Sequence, residues 1–241
     1  MRAAAASSHR ASILLLTLLL ALGCMLARPA EPAAASGPAA TRSLVFALDL
    51  QPVAVEQQAA ILAETLRVFT ERLAALGVND PDVRPDAEDT VIVSLPGDAD
   101  VPEVSATLNA RGIVDFRERD ESGAGWKPLL ERDASGELRP VTSASFTRRS
   151  RVTLDPASQQ PLVSFEFDDD GARLFEAATR RLLGQPLAIF HDERLLTAPR
   201  VQTVISREGV LAGLSHADAR RLAVQLNSGS LPVYVTITRV R

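Results

Sequence analysis

Residues 185–235, QPLAIFHDERLLTAPRVQTVISREGVLAGLSHADARRLAVQLNSGSLPVYV, restrict the fold more than any other stretch. Leu187 to Phe190 are apolar and lead into His191-Asp192-Glu193, a turn-forming run, so they read as a short strand and its turn. A second extended piece passes through Ala198-Pro199, and Gly213 marks another turn. From Ser215 onward the apolar spacing becomes helical: Ala219, Leu222, Ala223 and Leu226 fall on one face. Ser215 and Asp218 form a capping pair, with aspartate where glutamate is usual. Gly229 stops the helix. After Leu231-Pro232, Val233, Val235 and Ile237 alternate with Tyr234, Thr236 and Thr238 in a last strand. Strands and a capped helix joined by tight turns predict an α+β fold.

The first half has the same grammar. Leu44 to Leu48 is an apolar strand bounded by Asp49 and Pro52. Val55, Ala59, Leu62, Leu66, Phe69, Leu73 and Leu76 recur at steps of four and three, one face of a long helix that Gly77 ends. A short strand is expected around Val83, and Val91, Val93 and Leu95 alternate in another, stopped by Pro96-Gly97. A shorter helix over Val101 to Arg111 turns Val104 and Leu108 inward, and Ile113 to Phe116 is again a strand. The order β-α-β-β-α-β predicts a ferredoxin-like base over residues 44–118. Residues 119–161 are polar and turn-rich, with Trp126, Phe146 and Val152 as apolar anchors. A loop-rich connection with one or two short strands is expected there. Residues 162–241 read as a second α+β lobe on mostly antiparallel strands. It opens with alternating Val163, Phe165 and Phe167, followed by a helix that turns Leu174, Phe175, Ala178 and Leu182 inward and closes at Gly184.

The N-terminus has the layout of an export signal. Arg2, His9 and Arg10 precede the leucine-rich run Ala11 to Gly23. The run ends Ala21-Leu22-Gly23-Cys24, which is similar to the lipobox of bacterial lipoproteins. In that reading residues 1–24 hold the signal and Cys24 becomes the lipid-modified N-terminus. An uncleaved membrane anchor and an ordinary cleaved signal are the alternatives. All three place the rest of the chain outside the cytoplasm. Residues 25–43, rich in proline and alanine, form a tether. Cys24 is the only cysteine, so neither an internal disulfide nor a multi-cysteine zinc site is available. A net charge of −4 and 4% aromatic residues leave no basic, base-stacking surface for nucleic acid.

The 185–235 stretch resembles the SecD subunit of the bacterial protein-export machinery. In that family an apolar strand, a turn, "aP", a glycine turn, a helix and "aGaLPv" follow in the same order. Pro199, Gly213, Gly229, Leu231 and Pro232 carry the likeness. The first half resembles the same family through Arg72, Leu76-Gly77-Val78, Pro81, Ile92, Leu95-Pro96-Gly97 and Phe116-Arg117. The family's glycine-bearing signature before this region is not intact, since Leu48-Asp49-Leu50 is followed by Gln51-Pro52. The resemblance implies a base and head of the first extracytoplasmic domain. It gives Leu95, Pro96, Gly97, Pro199, Gly213, Gly229, Leu231 and Pro232 structural roles in turns, a helix stop and a strand entry. The implied partners are Sec translocon components or unfolded exported polypeptide, with the membrane reached through the N-terminal lipid. Beyond the leader no apolar run is long enough to span a bilayer, so the expectation is a SecD-like domain without proton conduction. An exposed strand edge or an apolar groove would suit weak, sequence-tolerant contact with an unfolded chain. The alternative is an envelope lipoprotein using the same fold as a scaffold or ligand-binding module.

Catalytic patterns are sparse. Asp168-Asp169-Asp170 has the composition of a metal loop, but acidic residues before a helix answer free N–H groups and the helix dipole. His191-Asp192-Glu193 offers a base beside carboxylates, yet its place is a strand-to-strand turn. His216 falls in the first turn of a helix. No GxSxG, HExxH, Walker or GxGxxG pattern occurs. The expectation is a non-enzyme with no cofactor and no metal. Arg148-Arg149-Ser150-Arg151 is the densest positive cluster, suited to anionic headgroups or an acidic partner and equally to plain solvation.

Overall fold

The computed structural model describes residues 42–87 and 89–240; the leader, Cys24 and nearly all of the tether lie outside the described residues. In chain order the first elements are β1 (Arg42–Leu48), α1 (Val55–Ala75), β2 (Asp82–Ala87), β3 (Thr90–Leu95), α2 (Val101–Asn109) and β4 (Val114–Arg119). Four short strands follow: β5 (Trp126–Pro128), β6 (Leu130–Arg132), β7 (Leu138–Pro140) and β8 (Arg151–Leu154). The rest is β9 (Pro161–Glu166), α3 (Asp169–Arg181), β10 (Ala188–His191), β11 (Arg194–Thr197), β12 (Glu208–Leu211), α4 (His216–Ser228) and β13 (Val235–Val240). The fold is α+β, with every strand pair within the sheets antiparallel.

The base is a four-stranded sheet in the order β13-β1-β3-β2. The ferredoxin-like layout holds, but its fourth strand is not Ile113–Phe116 as the sequence suggests. β4 leaves for a second sheet, β11-β10-β4-β5, and the last strand of the chain takes the vacant edge. The base is therefore built from two stretches, and residues 44–118 do not close on themselves. Alternation tells which residues of a strand face a core, not which core. Val114 and Phe116 enter the head core, whereas Leu231, Val233 and Val235 join Leu44, Phe46, Phe69, Val91 and Leu95 in the base core.

Helix α1 starts where expected and buries part of the expected stripe, with Leu62, Leu66 and Leu76 packed at partial burial against the base core. Val68, Phe69, Arg72 and Leu73 are buried, while Val55 is 76% exposed. Residues 120–160 hold more structure than their composition suggests. Four short strands and a 3-10 turn at Ser143–Ser145 hang on the buried Leu129, Val141 and Phe146. The three-stranded sheet β12-β9-β8 leaves β12 and β8 as edge strands.

The base register fixes a direction. Arg42 lies opposite Leu95 and Leu44 opposite Val240 at one end of the sheet; Ala47 lies opposite Thr90 and Leu48 opposite Val235 at the other. The chain passes into the head after Asn109 and returns at Leu231, which donates its N–H to the Arg111 carbonyl (2.8 Å). Arg111 also lies over the Tyr234 ring, so both crossings sit at the Val235 end, away from Arg42.

Candidate functional site: an apolar cleft in the head

Five phenylalanines organise the head core: Phe116 on β4, Phe146, Phe165 on β9, Phe167 after it, and Phe175 on α3. Phe146 stacks on Phe165 at 4.7 Å, Phe167 meets Phe175 at 4.8 Å, and Phe116 meets Phe175 at 4.9 Å. Aromatic pairs at these separations add to plain area burial. The cluster is not sealed. A cleft of about 350 Å³ reaches Phe116, Phe165 and Phe175, with Leu187 and Ile189 beside them. One wall is the irregular strap 198–207, through Pro199, Val201, Thr203 and Ile205; the other is Gly209 and Val210 of the edge strand β12.

The strap is held at both ends. Leu187 N–H donates to the Pro199 carbonyl (2.8 Å), and Val201 exchanges bonds with Gln185 and Gly184 (2.9 and 2.8 Å). Thr179 Oγ1 accepts from Ile205 N–H (3.0 Å) and donates to its carbonyl (2.9 Å). Arg207 pairs with Asp169 at 2.5 Å, which holds that carboxyl below its usual range. Gly209 is required by close approach: a Cβ there would lie 2.4 Å from the Phe165 ring. Among the residues lining this cleft, Arg200 alone carries charge. Such a site can take an apolar side chain out of water and has no acid, base or nucleophile to act on it. A wider depression of 560 Å³ shares Gly209 and Val210 with the cleft, but Arg149, Arg151, Glu166 and Glu208 line it and it is open to solvent.

The residues singled out from sequence are placed as follows. Leu95 is buried at the end of β3, and Pro96-Gly97 begin the next turn, where Ala99 N–H donates to the Pro96 carbonyl. Gly213 turns the chain between β12 and α4, Gly229 ends α4, and Leu231 is fully buried ahead of Pro232. Pro199 alone of this set lines the cleft.

Asp168 caps α3, accepting from Gly171 N–H at 2.7 Å, while Asp169 and Asp170 pair with Arg207 and Arg173. Among the described residues no group of three or more His, Cys, Asp or Glu is placed to hold a metal ion. His216 is exposed in the first turn of α4. Asp192 and Glu193 adopt left-handed φ of 45° and 68° in the β10–β11 turn. The Asp192 carboxylate caps Gly112 and Ile113 N–H (3.0 and 2.9 Å), and His191 Nε2 lies 3.0 Å from Gln225 Oε1. Burial pushes the His191 imidazole below its ordinary value. Arg148 lies beside Gly229, while Arg149 and Arg151 both line the open 560 Å³ depression. Ser150 between them is tied to Asn227 through bonds of 2.8 and 2.9 Å.

Sequence reasoning missed the cleft floor as a site, because five phenylalanines on strand and helix faces read simply as core. It also missed Arg72 and Gln225, both fully buried. Arg72 carried only its place in the family pattern, and Gln225 only its position beside an apolar helical stripe.

The fold and the sequence have known counterparts. A family model for the N-terminal part of the P1 domain of protein translocase subunit SecDF matches residues 62–121, and one for the SecDF P1 head subdomain matches residues 131–233. Protein translocase subunit SecD of Dehalococcoides mccartyi is 32% identical over 206 residues, 79% of this chain and 45% of that one. Protein translocase subunit SecDF of Thermus thermophilus is 30% identical over 206 residues, 75% of this chain and 28% of that one. The chain thus spans less than half the length of these relatives. Two solved structures superpose on 83% of it. One is SecDF in a super-membrane-facing form, with a TM-score of 0.69 at 27% identity over 30% of that chain. The other, described as a membrane component SecDF that enhances protein export, has a TM-score of 0.67 at 28% identity and is covered over 99% of its length. The chain belongs to the SecD/SecDF family through its P1 domain.

Proposed function

We propose that this chain acts outside the cytoplasm as a membrane-tethered P1 domain that assists protein export by holding apolar segments of a translocating polypeptide, without catalysis and without conducting protons. The observation that carries this reading is the 350 Å³ apolar cleft, which opens beside an edge strand in the head. An unfolded segment presents both apolar side chains and unpaired backbone groups. The cleft suits the first and the free edge of β12 suits the second, and both accept many sequences. A lipid on Cys24 would supply the tether; within the described residues, Arg42 and the head crossings lie at opposite ends of the base sheet. Among the described residues no helix is long and apolar enough to cross a membrane. The proposed partners are Sec translocon components and the exported chain itself.

Photocrosslinking side chains at Ile205 and Val210, both exposed and both lining the cleft, test this in secreting cells. Crosslinks to many nascent exported chains are the expected result. A crosslink to one envelope protein of fixed mass would favour a scaffold role, and none at all would remove the cleft from the reading. Mass spectrometry of the mature N-terminus tests the tether: an unmodified Cys24 within an intact leader overturns the lipoprotein assignment.

A further inference from the structure

Two stretches join base and head: the outgoing one from Asn109 to Val114 and the returning one from Gly229 to Leu231. Where chain leaves a helix or sheet, its carbonyls lose their ladder partners and need others. At a free hinge water supplies them. Here one side chain does. Arg72 of α1 is fully buried, and its guanidinium donates to four carbonyls: Thr107 (2.8 Å) and Ala110 (2.5 Å) through Nη1, Arg111 (2.9 Å) and Gly229 (3.1 Å) through Nη2. The last turn of α2, the outgoing crossing and the returning crossing are thereby fastened to one planar group.

The head reaches the same point from its own side. Gln225 of α4, also fully buried, donates to the Thr107 carbonyl (3.3 Å) that Arg72 uses, and its Oε1 meets His191 of β10. Asp192 caps Gly112 and Ile113 N–H in the outgoing crossing. Arg221 of α4 pairs with Glu103 of α2 at 2.6 Å. Gly112 runs so close beneath these groups that a Cβ on it would lie 2.8 Å from Arg72 Nη2 and 2.9 Å from Gln225 Cβ. Burial pushes the Arg72 guanidinium down to about 10, opposed by the charge of Asp192, so it remains a cation at neutral pH.

We propose that Arg72 and Gln225 form a lock that welds head to base, so that the cleft keeps a fixed bearing on the Arg42 end of the base and shifts only when the lock opens. The proposal rests on the junction alone and stands or falls independently of what the cleft binds. Rotation at the crossings would have to break several bonds to a charged donor together, and each is stronger than a neutral one.

Hydrogen exchange of the full-length chain, read by mass spectrometry, tests it. In the native protein, peptides covering 109–114 and 229–233 should exchange no faster than those of β1, β3 and β9. In Arg72→Met and in Gln225→Leu the two crossing peptides should exchange at least about tenfold faster while the sheet peptides keep their native rates. Arg72→Lys should not restore them, because one ammonium cannot span four carbonyls from three segments. Crossings that already exchange ahead of both lobes in the native chain would mean a free hinge and overturn the lock. So would acceleration spread evenly over all peptides, or none. If Arg72→Met does not fold, Gln225→Leu decides by the same comparison.

Discussion

Base and head use the same kinds of element to different ends. The base core is aliphatic, with one aromatic pair, Phe46 against Phe69 at 4.8 Å, and its most buried residues meet no solvent. The head gathers five of the chain's eight phenylalanines into one cluster and leaves a 350 Å³ cleft against three of them. A closed core gains from every added contact. A core with an opening gives up part of its packing to keep surface that something else can cover. The base core is thus closed, and the head core is open on one side.

The largest effect should come from testing that contrast directly. Phe69→Ala empties a site walled on every side, where collapse is hard, and should cost about 4–5 kcal/mol in denaturant unfolding. Phe165→Ala removes a ring of similar burial that borders the cleft, where the void merges with existing space, and should cost nearer about 3 kcal/mol. Equal losses would mean that the cleft closes in solution and that the two cores do not differ.

Two glycines sharpen the comparison with smaller effects. Gly112, at φ 77°, combines a left-handed backbone with the contact to Arg72 and Gln225. Alanine there should cost about 3 kcal/mol, through strain and overpacking at the junction. Gly209 has only the close approach to Phe165, a ring with free space on its cleft side. Gly209→Ala should therefore cost about 1–2 kcal/mol and push that ring into the cleft. Binding of a hydrophobic dye, followed by fluorescence, should fall in Gly209→Ala and not in Gly112→Ala. The reverse order would place the dye site elsewhere.

Much of this was legible in the chain. Strand alternation at Val91-Val93-Leu95 and Val163-Phe165-Phe167, the helical steps from Ala219 to Leu226, and the cap at Ser215 each reflect local geometry that neighbours only confirm. What the sequence could not supply is non-local. Nothing in Val114 or Phe116 says that their strand pairs with β10 and that β13 closes the base, because both choices satisfy the same alternation. β12 was not anticipated either, since a glycine and a glutamate in Glu208–Leu211 hide a strand whose partner is distant. Arg72 looked like one position in a family pattern. Its role depends on carbonyls from residues 107 to 229 converging on it, and no spacing along α1 encodes that. The cleft is missing from the sequence for the same reason, being made by a strap and an edge strand that meet only in three dimensions.

The smallest expected effect is one of acidity, and it separates the two regions again. His191 sits on the head side of the junction, facing Gln225 from α4, Arg72 from α1, its neighbour Asp192 at 3.9 Å, and Arg194. Burial lowers its affinity for a proton first; Asp192 and Gln225 raise it, and Arg194 and Arg72 lower it further. An imidazole held neutral by the fold is protonated more readily in the unfolded chain. Its stabilisation is therefore complete above about pH 6.5, the ordinary histidine value, and drains away as pH falls from there toward the lower folded value. The carboxyls of Glu64 and Asp169, held below their ordinary range chiefly by hydrogen bonds from Arg67 and Arg207, give up their share only in stronger acid, below about pH 4. Between these windows His191 should dominate. Unfolding midpoints taken at pH 7.5 and 5.5 should fall in the native chain and fall less in His191→Gln, whose amide can still meet Gln225. Amide exchange should quicken on acidification around β10 and residues 110–114 before it does in β1 and β3. If the base sheet loosens as early as the junction, or if His191→Gln keeps the native slope, the acid sensitivity belongs to the whole molecule and not to the seam between its two parts.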